Sequence, residues 1–133
     1  YPYCHGGDIA DPEFGGEAHP CADYVPPQLR FGAHTAPLGM RFYAGAMFPP
    51  EYRGDAFVAL HGSWNRSRKS GYQVVRVRVD GGKAVAAEPF VQGWLQGEKV
   101  LGRPVDLLVM PDGSMLVSDD KNGAIYRITH AAD

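Results

Sequence analysis

Tyr72-Gln73-Val74-Val75-Arg76-Val77-Arg78-Val79, followed by Asp80-Gly81-Gly82 and the run from Lys83 to Val91, decides the fold. The first run is rich in β-branched residues and partly alternating. It puts Arg76 and Arg78 on one face and Val75, Val77 and Val79 on the other, which is the period of a strand. Asp80-Gly81-Gly82 is a hairpin signal, so Lys83 to Val91 returns alongside. Upstream, Gly39 to Tyr43 is short and apolar, Phe48-Pro49-Pro50 is a turn, and Asp55 to Leu60 has the unbroken apolar character of a buried strand. These four strands read as one antiparallel meander.

The pattern then recurs. Val105-Asp106-Leu107-Leu108-Val109-Met110 is a strand, and Pro111-Asp112-Gly113 is a turn with glycine where positive φ is needed. Ser114 to Ser118 returns, Asp119 to Gly123 turns again, and Ala124 to Thr129 is a third strand. Gly71-Tyr72-Gln73-Val74-Val75-Arg76-Val77 and Gly123-Ala124-Ile125-Tyr126-Arg127-Ile128 share one plan, a glycine followed by an apolar strand with a late arginine. No stretch carries a helical period, and the segment around Gly93-Trp94-Leu95-Gln96-Gly97 is interrupted by glycine on both sides. The expected fold is all-β, a partial β-propeller of about two blades. Residues 34–133 form the blades, the last one incomplete, and a loop-rich segment, residues 1–33, precedes them. A propeller closes with about four to eight blades. The expectation is therefore a piece of a larger protein, an idea to which the Tyr1-Pro2-Tyr3-Cys4 opening adds, or copies that self-associate through open sheet edges.

Composition narrows the function. The chain has 133 residues, 44% hydrophobic and 21% charged, with 17 Gly and 11 Pro, as suits a globular domain with many turns. A net charge of −2 provides no basic field, so a nucleic-acid partner is not supported. No apolar run is long enough for a membrane span.

Cys4 and Cys21 lie in the Gly/Pro-rich first stretch. A disulfide between them is the expected state and implies an oxidising location, periplasmic or secreted. Two other states remain open, a pair of free thiols and a zinc site completed by His5 and His19, whose spacing is not that of a zinc finger.

His61-Gly62-Ser63-Trp64-Asn65-Arg66 follows directly on the Asp55–Leu60 run. Loops at strand ends are held by the sheet and carry binding groups. Here an indole can stack, a guanidinium can pair with carboxylates, and His61 and Asn65 can fix orientation, a set suited to a flat, anionic, aromatic ligand. The plainer reading of His61 and Trp64 is a satisfied core imidazole and an indole packed between blades. Asn65-Arg66-Ser67 is also a glycosylation sequon.

Taken in order, His34-Thr35-Ala36-Pro37-Leu38-Gly39-Met40-Arg41-Phe42-Tyr43, Phe48-Pro49-Pro50-Glu51-Tyr52-Arg53-Gly54-Asp55, the His61 to Arg66 loop, Gly102-Arg103-Pro104-Val105-Asp106 and Met110-Pro111-Asp112-Gly113 closely resemble the C-terminal part of the glucose/sorbosone dehydrogenase family. The resemblance is strongest to its L-sorbosone dehydrogenase-like branch and covers nearly the whole chain. It implies a six-bladed propeller that binds pyrroloquinoline quinone (PQQ) and calcium. A histidine there takes the hydroxyl proton while hydride passes from a sugar to the quinone, an external electron acceptor then reoxidises it, and calcium polarises the quinone carbonyl. In the family that histidine and the calcium-binding loop lie upstream of the stretch matching Tyr1. The chain is thus expected to supply cofactor-holding loops without a catalytic base or metal ligands, and to be inactive alone.

On this resemblance Arg103 matches a position that contacts the quinone, and His34 aligns with another. The expected cofactor-binding set is His34, His61, Trp64, Asn65, Arg66 and Arg103. Asp106, Asp119 and Asp120 are read as strand, capping and turn residues rather than calcium ligands. Two rival functions are a non-enzymatic propeller module that binds carbohydrate or a protein partner, and a metal-dependent lactone hydrolase. The latter lacks a convergent carboxylate and histidine cluster.

Overall fold

The computed structural model describes residues 1–131, which divide into two compact units, Tyr1–Arg30 and the remainder from Phe31 onward. Among the described residues there is no α-helix, only short 3-10 turns at Cys21–Asp23 and Pro50–Tyr52. Among the described residues no helix is long and apolar enough to cross a membrane.

In the first unit, β1 (Cys4–His5) and β2 (Ile9–Ala10) form a small hairpin. No residue of this unit is buried, so it has no apolar core of its own. It is held by the Cys4–Cys21 disulfide and by Tyr3, which stacks on His19 at 3.9 Å and on Tyr24 at 5.6 Å. Asp11 adds a local clamp. It accepts the amide protons of Glu13 and Phe14 and pairs with the His5 ring at 2.6 Å. The Phe14 amide, then the His5 side chain and the Glu13 amide, hold its carboxyl down at about 2.

The second unit contains a four-stranded and a three-stranded antiparallel sheet, neither closed on itself. The first is a meander of β3 (Pro37–Phe42), β4 (Ala56–Leu60), β5 (Gln73–Asp80) and β6 (Lys83–Val91). A two-stranded hairpin, β7 (Leu95–Gln96) and β8 (Lys99–Val100), follows. It occupies the glycine-bounded stretch that carries no clear period in the sequence. The second sheet is the meander β9 (Pro104–Val109), β10 (Met115–Asp119) and β11 (Ala124–Ile128). β3 begins two residues before the Gly39 expected from sequence, because Pro37 pairs with Leu60 as the first residue of an edge strand, where the missing amide proton costs nothing.

Both faces of the first meander are covered. On one side Ala56, Val58, Leu60, Val75 and Val77 form a buried cluster. On the other, Phe57, Ala59 and Val74 join Tyr43, Phe48 and Trp94, and pack against Leu107, Met115 and Val117 of the second sheet. Each fully buried side chain of this kind contributes roughly 1.5–3 kcal/mol. Gly39 lets the two sheets meet, since a Cβ there would lie 2.6 Å from the Asp106 Cα.

The repeated plan is present in three dimensions. β5 and β11, the strands that follow Gly71 and Gly123, are the third strand of their sheets. The late arginine of each reaches an aspartate in the turn before the second strand. Arg76 Nε donates to Asp55 at 2.5 Å, and Arg127 donates to Asp112. Arg76 departs from a plain solvent-facing residue. It is buried on the Phe57 face, stacked 3.9 Å over the Tyr52 ring and bonded also to Glu88 and the Glu51 carbonyl, whereas Arg78 on the same face is exposed. A buried guanidinium is tolerated when its donors are satisfied in this way.

Because the first unit lacks a core, it depends on its covalent staple. Reducing the disulfide, or replacing Cys21 with Ser, is expected to remove about 3 kcal/mol of unfolded-chain restraint from this unit alone. Hydrogen exchange checks it: amides of the first unit should lose protection while those of β4 and β5 keep theirs. Equal loss in both units, or none, contradicts the expectation.

Candidate functional site

Both sheets present a rim at the end where β4 and β10 finish and β3, β5 and β9 begin. His34 to Ala36, His61 to Arg66, Gly71-Tyr72, Gly102-Arg103 and Asp119-Asp120 all lie there. The amides of His61 and Gly62 donate to the carbonyls of Ala36 and Thr35, which fastens the first two segments together.

The backbone at this rim is unusually constrained. His34, Ala36 and Tyr72 have φ of 63°, 49° and 58°, all in the left-handed region. They sit among Gly62 and Gly71, whose φ values are 98° and 89°. Non-glycine residues in this region cost of order 1–3 kcal/mol each and concentrate at functional sites. The strain is held by close packing. A Cβ on Gly62 would lie 2.6 Å from the Tyr72 ring, and one on Gly71 would lie 2.7 Å from the Gly62 Cα.

Arg103 is the centre of the rim. Its Nη2 donates to the Ser63 carbonyl at 2.6 Å and lies 3.3 Å from the Tyr72 hydroxyl, which itself donates to the same carbonyl. The guanidinium carbon is 5.3 Å from the centre of the Tyr72 ring. Among the described residues no carboxylate pairs with this cation and no hydrogen bond uses its Nε or Nη1. A half-buried guanidinium anchored by a carbonyl, with two donor nitrogens unspent, suits an anionic ligand.

His61 lies one residue before the Gly62 carbonyl that Arg103 approaches. Its Nε2 meets both carboxylate oxygens of Asp120 at 3.1 Å, joining loops from the two sheets. The residue after it, Gly62, offers its carbonyl 3.5 Å from Arg103 Nη2. His61 is thus not a core imidazole closed off in one sheet. Trp64 is 86% exposed, so within this chain it is not an indole packed between sheets. Arg66 is occupied otherwise: it donates to the Ala33 carbonyl at 2.9 Å and the Ser70 hydroxyl at 3.0 Å. Together with the paired backbones of Ser63 and Ser70, these bonds close the loop that displays Trp64 and Asn65. Asn65 and His34 are exposed, and among the described residues their side chains make no hydrogen bond. The structure therefore ties His61 to Asp120 and Arg103 to the carbonyls that follow His61, gives Arg66 a loop-closing part, and leaves His34, Trp64 and Asn65 exposed at the rim.

Two participants carry no signal of their own in the sequence. Tyr72 reads as the start of a strand, yet it is buried and lies under Arg103. Asp120 reads as a turn residue, yet it partners His61. Its neighbour Asp119 does cap: its buried carboxylate accepts the amides of Arg103 and Asn122, the Asn122 side chain and the Tyr126 hydroxyl. Burial pushes this carboxyl up, but the Arg103 amide and the other donors outweigh it, and its pKa lies below the ordinary value. Asp106 pairs with Arg41 at 3.3 Å on the surface. Among the described residues no three His, Cys, Asp or Glu side chains converge as a metal site.

Replacing Gly62 with Ala should force a methyl into the Tyr72 ring and destabilise the unit by about 2 kcal/mol or more, lowering its thermal midpoint by roughly 10 °C. An unchanged midpoint would contradict the packing described. Asp119 predicts a pH dependence. A carboxyl lowered on folding adds stability above its unfolded value of about 3.9 and loses it as pH falls through the lowered value. Denaturant midpoints should therefore drop as the solution is acidified below about pH 4, and Asp119→Asn should flatten that drop while lowering stability at pH 7.

A family model described as TrAA12-like matches residues 9–131. An uncharacterized protein of Borreliella burgdorferi is 38% identical over 131 residues, covering 96% of this chain and 35% of that protein. A pyrroloquinoline quinone-dependent pyranose dehydrogenase of Coprinopsis cinerea is 34% identical over 127 residues, covering 80% of this chain and 17% of that enzyme. The holo form of the pyranose dehydrogenase PQQ domain from the same organism superposes with a TM-score of 0.68 at 28% identity, over 93% of this chain and 34% of that one. The chain thus spans about a third or less of the length of these relatives.

Proposed function

The chain belongs to the TrAA12-like family, and on that footing we propose that it supplies cofactor-binding loops to a PQQ-dependent dehydrogenase of sugars. Arg103 carries the reading, a half-buried cation with unspent donors and no carboxylate partner among the described residues, set at the rim where strained backbone converges. Its guanidinium would bind a carboxylate of the quinone, and Tyr72 and the Ser63 carbonyl hold it in place. His61 would hydrogen-bond at the ligand's edge, and Trp64 offers an exposed ring face for stacking. Asn65 and His34, on the same open rim, would add polar contacts, while Arg66 keeps the loop closed.

When bound, the quinone supplies the two-electron oxidising centre. The residues of this chain bind and orient it, and none of them is assigned as the proton acceptor. The two meanders are read as neighbouring blades of a six-bladed propeller, a reading supported by the repeated Asp–Arg pairs and by the fold likeness. The L-sorbosone-like specificity suggested by the motifs is a finer version of the same proposal. The Cys4–Cys21 disulfide supports a periplasmic or secreted location.

Titrating the chain with PQQ and following tryptophan fluorescence tests the reading. Binding should be saturable, and Arg103→Ala should weaken it by about 10- to 100-fold, the range of a charge-assisted hydrogen bond. Arg103→Lys, which keeps the charge and loses the planar fork, should fall between. No binding, or binding indifferent to Arg103, would sink the assignment.

A further inference from the structure

We infer that Asp120 is a positioning residue for His61, and that the pair prepares the rim for the edge of a ligand bearing a ring N–H beside a carboxylate. The inference rests on the quinone reading above and gives it a recognition chemistry. His61 Nε2 lies 3.1 Å from each oxygen of Asp120. An ionised carboxylate only accepts, so Nε2 must carry the proton. In its neutral form the ring is then the Nε2–H tautomer with its lone pair on Nδ1. Among the described residues no hydrogen bond reaches Nδ1.

The carboxylate is itself well placed. Asp119, buried and bonded to the amides of Arg103 and Asn122, fixes the turn from which Asp120 projects. Arg103 is a neighbour of His61 through the Gly62 carbonyl. The rim therefore carries an acceptor, Nδ1 of His61, on the same loop whose Gly62 and Ser63 carbonyls meet a cation with unspent N–H groups. A pyrrole-2-carboxylate edge has the complementary order, an N–H donor next to a carboxylate, and PQQ carries that edge on its pyrrole ring. The pair's other evident role is mechanical, since it also ties two sheets together. The two roles separate because an amide at position 120, which can both accept and donate, can keep the tie while no longer dictating the ring's tautomer.

Three measurements on the chain decide it. Nitrogen-15 NMR of the His61 ring reads the tautomer directly. Chemical-shift titrations compare two probes, pyrrole-2-carboxylate and furan-2-carboxylate, which differ in whether the ring atom donates. Both are repeated on Asp120→Asn, and the third measurement is its thermal midpoint. The expected result is an Nε2–H ring and about tenfold tighter binding of the pyrrole probe in the unmodified chain. In Asp120→Asn, whose amide can accept from Nε2–H or donate to Nε2, the ring should become a mixture of the two tautomers and the preference should shrink, with the midpoint moved by no more than about 2 °C. An Nδ1–H ring in the unmodified chain, or the same preference in both proteins, overturns the inference. If PQQ fails to bind but the probes are still discriminated, the cofactor reading falls and the positioning role stands. If PQQ binds through Arg103 and the probes are not discriminated, the reverse holds.

Discussion

The hydroxyl of Tyr43 holds the second unit together at the end away from the candidate site. It donates to the Gly113 carbonyl at 2.7 Å and accepts the amides of Met47 and Phe48 at 3.1 and 2.9 Å. The ring is 1% exposed and stacks 4.6 Å from Phe48. One buried phenol thus joins the loop after β3 to the turn before β10, in the interior where an unsatisfied hydroxyl would be costly. With this end fixed and Phe57, Val74, Met115 and Val117 packed between the sheets, the positions of the strands at the other end follow.

That other end is where the structure spends stability. Left-handed φ at His34, Ala36 and Tyr72 lies beside glycines with no room for a Cβ, and the resulting geometry puts two strand-end loops of one sheet against the start and end of strands in the other. Arg103 and His61 both reach across this junction, each to a partner on a different sheet from its own. A cation and an imidazole each bonded to the other sheet, with ring and guanidinium nitrogens that take no hydrogen bond among the described residues, differ from a closed structural pair. The Arg76–Asp55 pair at the far end is the contrast, buried, with further partners in Glu88 and the Glu51 carbonyl.

Much of the fold was legible because its signals are local. Alternation from Gln73 to Val79, the Asp80-Gly81-Gly82 turn and the Gly-then-Arg repeat each depend on residues a few positions apart. The strands occur where these signals put them, with ends shifted by a residue or two as pairing partners dictate. The hairpin at Leu95–Val100 was silent because two-residue strands are too short to show a period. In the rim, His61 and Arg103 could be singled out from residue type and strand-end position. Tyr72 and Asp120 could not, since their importance lies in contacts made 31 and 59 residues away.

The sequence by itself determined that the chain is all-β, built on a repeated meander, with reactive side chains after the Asp55–Leu60 strand. It could do so because β-periodicity, turn glycines and charge are properties of neighbouring residues. Only the tertiary structure decided which of those side chains meet. Packing one meander on the other set Arg103 on Tyr72 and Ser63, paired His61 with Asp120, and turned Arg66 back to close its own loop. Those pairings depend on how two sheets distant in sequence come together, and that is fixed by long-range packing around the Tyr43 hydroxyl and the shared core.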